Sequence, residues 1–211
     1  MSGPHEQLEH AEHVEHASHS NRKIALLIAF LALGLAFSET LGKSAQTSAL
    51  TDNIKSSDTW AFFQAKTIRQ TTLRTAAEAL TVTAPAISNE EIKVAMGKQI
   101  DAWKKTVARY ESEPETNEGR KELMARAQAA ERDRDHQLAK YHQYEFASAS
   151  YQIGIVLASA AVITGIVALA YAAGALGLIG IGFMALGLFA PEATHDAMHW
   201  VEHLFAAGGS H

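Results

Sequence analysis

The feature that most constrains this chain is a stretch of 46 residues, Phe146 to Pro191, without a single Asp, Glu, Lys or Arg. A membrane-spanning helix needs about 20 mainly apolar residues, so this stretch is too long for one span and suits two spans joined by a tight turn. A third apolar run lies earlier, from Ile24 to Leu41. The chain is therefore predicted to be an integral membrane protein with three spans, near residues 24–42, 151–171 and 174–190.

The first apolar run has a second interpretation, as the core of a signal peptide. Its strictly apolar part, Ile24 to Phe37, is short enough for one. However, 23 residues with four Glu precede it, and the sequence from Ser38 to Lys43 is a poor cleavage site. An uncleaved membrane anchor is the favoured interpretation.

The section between the apolar runs is polar and nearly neutral, with 16 Lys/Arg and 15 Asp/Glu between Lys43 and Glu145. This balance leaves no basic surface for nucleic acid. The chain has no cysteine, which excludes disulfides, thiolate metal sites and cysteine nucleophiles. No phosphate-binding glycine loop, serine nucleophile motif or zinc-protease helix is present. A non-enzymatic protein without a resident cofactor is therefore predicted.

The positions of the prolines predict long helices. No proline interrupts Arg22 to Ala84, so the first span is expected to continue as one rod. A capping sequence at Ser88 opens a helix from about Asn89 to Glu111, and a second long helix starts near Glu118 and runs into the second span. The predicted fold is all-α without strands, with a long antiparallel helical hairpin inserted between the first and second transmembrane helices.

These patterns divide the chain into five parts. They are a His/Glu-rich N-terminal tail at residues 1–20, the first transmembrane helix at 21–42, a polar helical hairpin domain at 43–145, the second and third transmembrane helices at 146–190, and an amphipathic His-rich C-terminal helix and tail at 191–211.

Small residues recur along the spans at alternating steps of four and three. Membrane helices pack by close approach along such seams, because lipid offers no hydrophobic gain for their association. The first two seams are Ala25, Ala29, Ala32 and Ala36 in the first span, and Gly154, Ala158, Ala161 and Gly165 in the second. The third span has a looser seam of Ala173, Gly177, Gly180, Met184 and Gly187. Three such seams are more packing surface than one small helix bundle requires, so a homo-oligomer with coiled-coil contacts is predicted.

Glu39 continues the seam of the first span, and Lys43 follows one turn later. An acid within a span is costly and often marks function. Two interpretations remain open. Glu39 lies at headgroup level and pairs with Lys43, or it is a buried carboxylate that faces Ser148, Tyr151 or Gln152 near a symmetry axis.

Nine of the eleven histidines lie in the two tails. His195, His199 and His203 are spaced at i, i+4 and i+8, so one helical face could hold a divalent metal. The alternative is that they line the wet face of an amphipathic interfacial helix. In the polar section, Trp60 and Phe63 belong to the densest aromatic group and are expected in the hairpin core or as a partner-binding surface.

Three segments resemble a bacterial family known as domain of unknown function 4337. They are Asn21 to Lys23, Ser38 to Ala45 and Asp58 to Lys66, and the resemblance extends over nearly the whole chain. The resemblance implies a small inner-membrane protein and supplies no activity, cofactor or catalytic residue.

The leading functional hypothesis is a non-enzymatic homo-oligomeric scaffold, stalk or pore wall. The alternatives are a metal-responsive or metal-handling membrane protein that uses the histidine tails, and an accessory subunit of a larger membrane complex. Arg134 and Lys140 precede the second span, and no Lys or Arg follows the third. The positive-inside rule therefore favours a cytoplasmic hairpin and C-terminus.

Overall fold

The structure, a computed structural model, describes residues 4–193, with side chains from residue 22 onward. This part of the chain contains α-helices and one short 3-10 helix, Ala84–Ala86, and no strand. The helices are α1 (Pro4–Thr83), α2 (Glu90–Glu111), α3 (Arg120–Thr164) and α4 (Val167–Phe189). The prediction of an all-α chain is confirmed for these residues.

The polar section is not an inserted hairpin of its own. Residues 43–83 belong to the same long helix, α1, as the first apolar run. No proline or glycine occurs between Lys43 and Thr83, so nothing in the sequence ends the helix there. The predicted continuation of the first span as one rod is therefore confirmed, whereas the prediction of a hairpin inserted as a separate element is wrong, because its first half is the continuation of α1.

Helix α2 begins and ends where the sequence predicts. The Asn89 side chain accepts hydrogen bonds from the backbone N–H groups of Glu91 and Ile92, at 2.9 and 3.3 Å. These two donors would otherwise lack partners at a helix N-terminus. The cap is therefore Asn89, one residue after the Ser88 that the sequence suggested.

The turn between the last two helices differs from the prediction. It lies at Gly165 and Ile166, whereas the predicted spans place it near residues 172–173. Gly165 has φ of +72°, a left-handed conformation that glycine adopts without strain. Gly165 therefore ends α3 and lies in a turn, and it is not a seam residue within the second span.

Three helical segments are long and apolar enough to cross a membrane. They are Arg22–Ala86, Arg120–Thr164 and Val167–Phe189, and each includes an apolar window of 18 residues. The prediction of three candidate spans is confirmed at this level of length and composition.

The described residues form two compact units. The apolar unit comprises the described parts of residues 1–48 and 136–211, and the polar unit comprises residues 49–135. Helices α1 and α3 contribute residues to both units, whereas α2 lies in the polar unit and α4 in the apolar unit.

Close helix packing in the apolar unit depends on large side chains that lie against glycines. Tyr151 is only 1% exposed. A Cβ atom at Gly34 would lie 2.8 Å from Tyr151 Cζ, and one at Gly180 would lie 2.7 Å from Tyr151 Cε1. The Tyr151 hydroxyl donates to Met184 Sδ at 3.4 Å. Glycine on α1 and on α4 is therefore what admits the ring between them.

The same arrangement recurs on both sides of Tyr151. The further contacts are Leu31 against Gly154 and Gly177, and Tyr144 against Gly42 and Gly187. Leu31 is fully buried and Tyr144 nearly so. The glycines thus set which faces of the three helices meet.

The predicted seams of α3 and α4 lie inside this packing, and the predicted seam of α1 lies outside it. The residues Gly154, Ala158 and Ala161 on α3, and Ala173, Gly177, Gly180 and Gly187 on α4, are buried. The residues Ala25, Ala29, Ala32 and Ala36 on α1 are instead exposed in the single chain. Helix α1 buries the face with Ile24, Leu31 and Ser38, because the Leu31 side chain fills the space above the glycines of α3 and α4.

Candidate functional site

A polar pocket of about 300 Å³ lies in the apolar unit, beside α1 and α3. We call it the Glu39 pocket. Its lining residues are Ser38, Glu39, Gly42, Lys43, Gln46, Tyr141, Tyr144, Glu145 and Ser148. Two carboxylates, one ammonium group, four hydroxyl groups and one amide therefore converge at one place.

The pocket lies where two apolar runs end. Ser38 follows the apolar residues of the first span, and Ser148 stands near the start of the second apolar run. The C-terminal end of α4 is also close, because the Gln143 side chain donates to the Pro191 carbonyl at 3.1 Å. Tyrosines such as Tyr141 are typical of the membrane–water interface.

The inner wall of the pocket is fixed by a pair of serines. Ser38 Oγ and Ser148 Oγ are 2.8 Å apart and share a hydrogen bond, and Ser38 also donates to the Leu35 carbonyl at 2.9 Å. Ser38 is completely buried. Gly42 brings α3 close, since a Cβ there would lie 3.4 Å from Tyr144 Cβ.

The charged groups of the pocket lie at its exposed rim. Gln152 Nε2 donates to Glu39 Oε1 at 3.5 Å, and His142 Nδ1 lies 3.6 Å from Glu145 Oε2. Among residues 22–193, no salt bridge joins Glu39 to Lys43. The structure therefore brings Glu39 to Gln152, one of the neighbours that the sequence suggested, and leaves it exposed.

The lining residues of α3 were not singled out by the sequence. Tyr141, Tyr144, Glu145 and Ser148 recur at steps of three and four just before and at the start of an apolar run. Such polar residues on one helical face at a span boundary are the signal that would have indicated the pocket.

Trp60 and Phe63 are half-buried within the polar unit. Trp60 Nε1 donates to Glu131 Oε1 at 2.8 Å, and the two rings make an edge-to-face contact with centroids 5.4 Å apart. The Arg120 guanidinium lies 5.1 Å from the Phe63 ring centroid. The structure thus places both aromatic residues in contacts between α1 and α3.

A buried lysine lies beside this aromatic pair. Lys66 is 5% exposed, and its Nζ lies 3.6 Å from Glu113 Oε2 and 3.7 Å from Glu118 Oε2. The same ammonium group lies 5.2 Å from the centroid of the Phe62 ring. Lys66 therefore holds the connection between α2 and α3 against α1, a role that the sequence pattern did not reveal.

A second buried group extends this network toward α2. Gln70 is 3% exposed and donates to the Val107 carbonyl and to Glu111 Oε2, at 3.2 and 3.0 Å. Arg120 donates to Thr67 Oγ1, to Gln70 Oε1 and to Glu111 Oε2, at 2.7 to 2.9 Å. Side chains from three helices thus share one set of hydrogen bonds.

These contacts lower the pKa of two carboxyl groups. The hydrogen bond from Gln70, with the nearby charge of Arg120, holds the pKa of Glu111 below its usual range, although burial opposes the shift. The Ser112 hydroxyl donates to Glu122 Oε1 at 2.6 Å and lowers the pKa of Glu122. Both groups therefore contribute stability as carboxylates.

One face of α1 in the polar unit is exposed and uncharged. We call it the outer face of α1. Its residues are Ala61, Gln64, Ile68, Thr71, Thr72, Thr75, Ala79 and Val82. Ile68 is 67% exposed and Val82 is 79% exposed. A shallow groove of about 630 Å³ follows the part of this face around Thr72.

The candidate metal site at His195, His199 and His203 lies outside the described residues. Within residues 22–193, no group of three His, Cys, Asp or Glu side chains could hold a metal ion. The C-terminal histidine site therefore stays a prediction.

Comparison with known proteins gives a family and nothing beyond it. No curated protein matches the chain, and no solved structure does. Residues 20–190 match the domain of unknown function (DUF4337), which covers the three candidate spans and the polar unit. The resemblance seen in the sequence is confirmed, and the chain belongs to the family of the domain of unknown function (DUF4337).

Proposed function

We propose that this protein is a non-enzymatic, homo-oligomeric membrane scaffold in which α1 of one copy packs against α1 of a second. The observation that carries the proposal is the outer face of α1, which is exposed although it carries no charge. The polar unit has many charged residues, yet Arg69 and Arg74 lie outside this face and Glu78 lies at its edge.

A seven-residue repeat runs along the outer face of α1 and continues one repeat earlier, to Ile54. Ile54, Ala61, Ile68, Thr75 and Val82 repeat every seven residues, and all of them are exposed. Single exposed apolar residues are common on protein surfaces. Five positions in one seven-residue repeat, with the exposed Thr72 and Ala79 four residues after two of them, are instead typical of a seam that a partner helix of the same repeat would bury.

Threonine suits such a seam because its hydroxyl is already engaged. The hydroxyls of Thr71 and Thr72 each donate to the carbonyl four residues earlier, at 2.9 Å. Their methyl groups therefore add to the apolar character of the face. Small side chains here permit close approach of two helices.

A second copy is the partner that fits this face best. Every copy provides a helix with the same seven-residue repeat, and copies inserted in one direction run parallel, so each position meets its counterpart. Within the apolar unit, the exposed residues Ala25, Ala29, Ala32 and Ala36 separately offer a face of small residues to a second copy in lipid. A stalk and a pore wall are both compatible with parallel α1 helices.

In the proposed scaffold, the α1 and α3 segments of the polar unit act as antiparallel arms. The Ser56 hydroxyl donates to the Ala127 carbonyl at 3.4 Å, and Thr67, later in α1, accepts from Arg120, earlier in α3, at 2.9 Å. We place the protein in the inner membrane of a bacterium, with the polar unit and the C-terminus in the cytoplasm. The partners are membrane lipid and further copies of the chain.

Cysteine cross-linking tests the proposal directly, since the chain has no cysteine of its own. Ile68→Cys and Thr75→Cys, oxidised separately in membranes, should each give a disulfide-linked dimer, because facing core positions of parallel helices lie within disulfide reach. Lys105→Cys, an exposed site on α2, is the matched control and should stay monomeric.

Two outcomes would overturn this proposal. One is the absence of cross-linked dimer at both outer-face positions. The other is cross-linking of the control to the same extent. Cross-linking of Ile68→Cys to a different protein would instead favour an accessory subunit of a larger complex.

A further inference from the structure

We propose that the Glu39 pocket binds the headgroup of a phospholipid that carries a primary amine, such as phosphatidylethanolamine. The inference concerns the apolar unit alone and does not depend on the oligomer proposed above. It rests on the charges of the pocket, its place at the end of two apolar runs, and the exposed apolar residues beside it.

The charged groups at the rim of the pocket are opposite in sign to the ammonium and phosphate groups of a zwitterionic headgroup. Glu39 and Glu145 can accept hydrogen bonds from an ammonium group, and Lys43 can donate to a phosphate. Among residues 22–193, no side chain pairs with the Lys43 ammonium group. The lysine therefore remains available to a phosphate.

The surroundings of the pocket favour a lipid over a soluble phosphate compound. Leu35 and Ala36 stand one helical turn before Glu39, on the same face of α1 and toward the apolar run; Leu35 is half-buried and Ala36 is exposed. These side chains offer apolar surface to acyl chains on the membrane side of a polar pocket. A soluble ligand would gain nothing from them.

The donors and acceptors also discriminate between headgroups. Two carboxylates disfavour a purely anionic headgroup such as phosphatidylglycerol. A choline group has no N–H to donate, and its usual binding site is a cage of aromatic faces. The Tyr144 ring packs against Gly187, which leaves Tyr141 as a single aromatic side chain and not a cage. The primary amine is therefore the preferred partner.

Native mass spectrometry of the detergent-extracted full chain tests this inference. Equal amounts of phosphatidylethanolamine, phosphatidylcholine and phosphatidylglycerol with the same acyl chains compete for the protein. We expect the ethanolamine lipid to be bound in about tenfold excess over the choline lipid, the effect of one charge-assisted hydrogen bond.

Two variants assign the preference to individual groups. Glu39→Gln/Glu145→Gln should bring the ethanolamine-to-choline ratio close to one. Lys43→Gln should instead reduce both adducts and preserve the ratio, since the phosphate is common to both lipids. Glu90→Gln/Lys93→Gln, which removes an exposed salt bridge on α2, is the matched control and should behave as wild type. All five residues that the variants and the control change are exposed, so folding should persist.

Binding of soluble phosphoethanolamine, measured in the same way, distinguishes a lipid site from a site for a free headgroup compound. The absence of binding at concentrations that saturate the lipid supports a lipid site, whereas equal affinity would contradict it. Equal binding of the ethanolamine and choline lipids by wild type would also overturn the inference, as would an unchanged ratio in the Glu39→Gln/Glu145→Gln variant. The same spectra report the number of chains, so loss of lipid preference and loss of the oligomer are distinguishable.

Discussion

Replacement of Gly180 by alanine is the most revealing test of how the apolar unit packs. The new Cβ would lie 2.7 Å from Tyr151 Cε1 and 2.8 Å from Tyr151 Cζ. Ordinary contacts of a Cβ begin at 3.4 Å, so the ring would have to move by about 0.7 Å. It cannot move freely toward α1, where Gly34 makes an equally close approach.

The expected cost is that of overpacking a closely packed core, about 1 to 3 kcal/mol. Gly182→Ala is the matched control on the same helix, because no atom lies within 4 Å of a Cβ there. The control should be neutral or stabilise α4 by up to about 1 kcal/mol, since alanine favours helix more than glycine. Equilibrium unfolding in mixed micelles with increasing SDS, followed by circular dichroism, measures both variants.

A double-mutant cycle with Tyr151→Leu tests whether the clash with the Tyr151 ring causes the loss of stability in Gly180→Ala. Tyr151→Leu leaves space at the ring position, so adding Gly180→Ala to it should cost less than in wild type by about 1 kcal/mol or more. Equal stability of Gly180→Ala and Gly182→Ala would refute the packing argument. Strict additivity of Gly180→Ala and Tyr151→Leu would refute it as well.

Three further predictions concern the polar unit and the C-terminal tail. Glu113→Gln/Glu118→Gln leaves the Lys66 ammonium group buried without a carboxylate and should lower the free energy of unfolding by about 3 kcal/mol in chemical unfolding. Lys66→Met keeps the packing on Phe62 and should leave that free energy nearly unchanged. Because the pKa of Glu111 is lower in the folded state, its stabilisation is full above the unfolded pKa of about 4.3 and is lost as the pH falls through the folded pKa. Thermal unfolding between pH 6 and about pH 2.5 should therefore show a smaller acid-induced loss in Glu111→Gln than in wild type, and equal losses would contradict the assignment. The His195→Gln/His199→Gln/His203→Gln variant and wild type should melt alike with EDTA or zinc, and a zinc-dependent shift confined to wild type would instead establish a metal site.

The sequence predicted the helices because their ends are set by local chemistry. The absence of proline from Arg22 to Ala84 predicts one long helix, and the capping sequence from Ser88 predicts the start of α2 to within one residue. Both depend only on residues within the helix or next to its end. The position of the last turn was wrong, because a charge-free stretch contains several glycines and only the structure shows which one adopts the left-handed conformation, Gly165.

The buried faces were harder to predict because small residues occur on more than one face of α1. The regular series from Ala25 to Ala36 suggested one seam, while the face with Leu31 is the one that fits the glycines of α3 and α4. That choice depends on shapes contributed by three separate segments of the chain.

The polar networks were missed for a different reason. Helical periodicity assigns charged residues to the solvent, yet Lys66 is buried together with Gln70. Their partners Glu111, Glu113 and Glu118 lie more than 40 positions later in the chain. Neither burial nor pairing could therefore be inferred from the residues around Lys66.

The mass of the extracted particle tests the central claim most directly. Native mass spectrometry of the wild-type chain, released from lipid nanodiscs, should show a particle whose mass is two or more times the chain mass of 22.8 kDa. Ile68→Glu, which places a charge at the centre of the outer face, should shift this particle to single chains that retain wild-type helix content. A wild-type particle of 22.8 kDa alone would contradict the claim that the outer face of α1 joins copies of the protein.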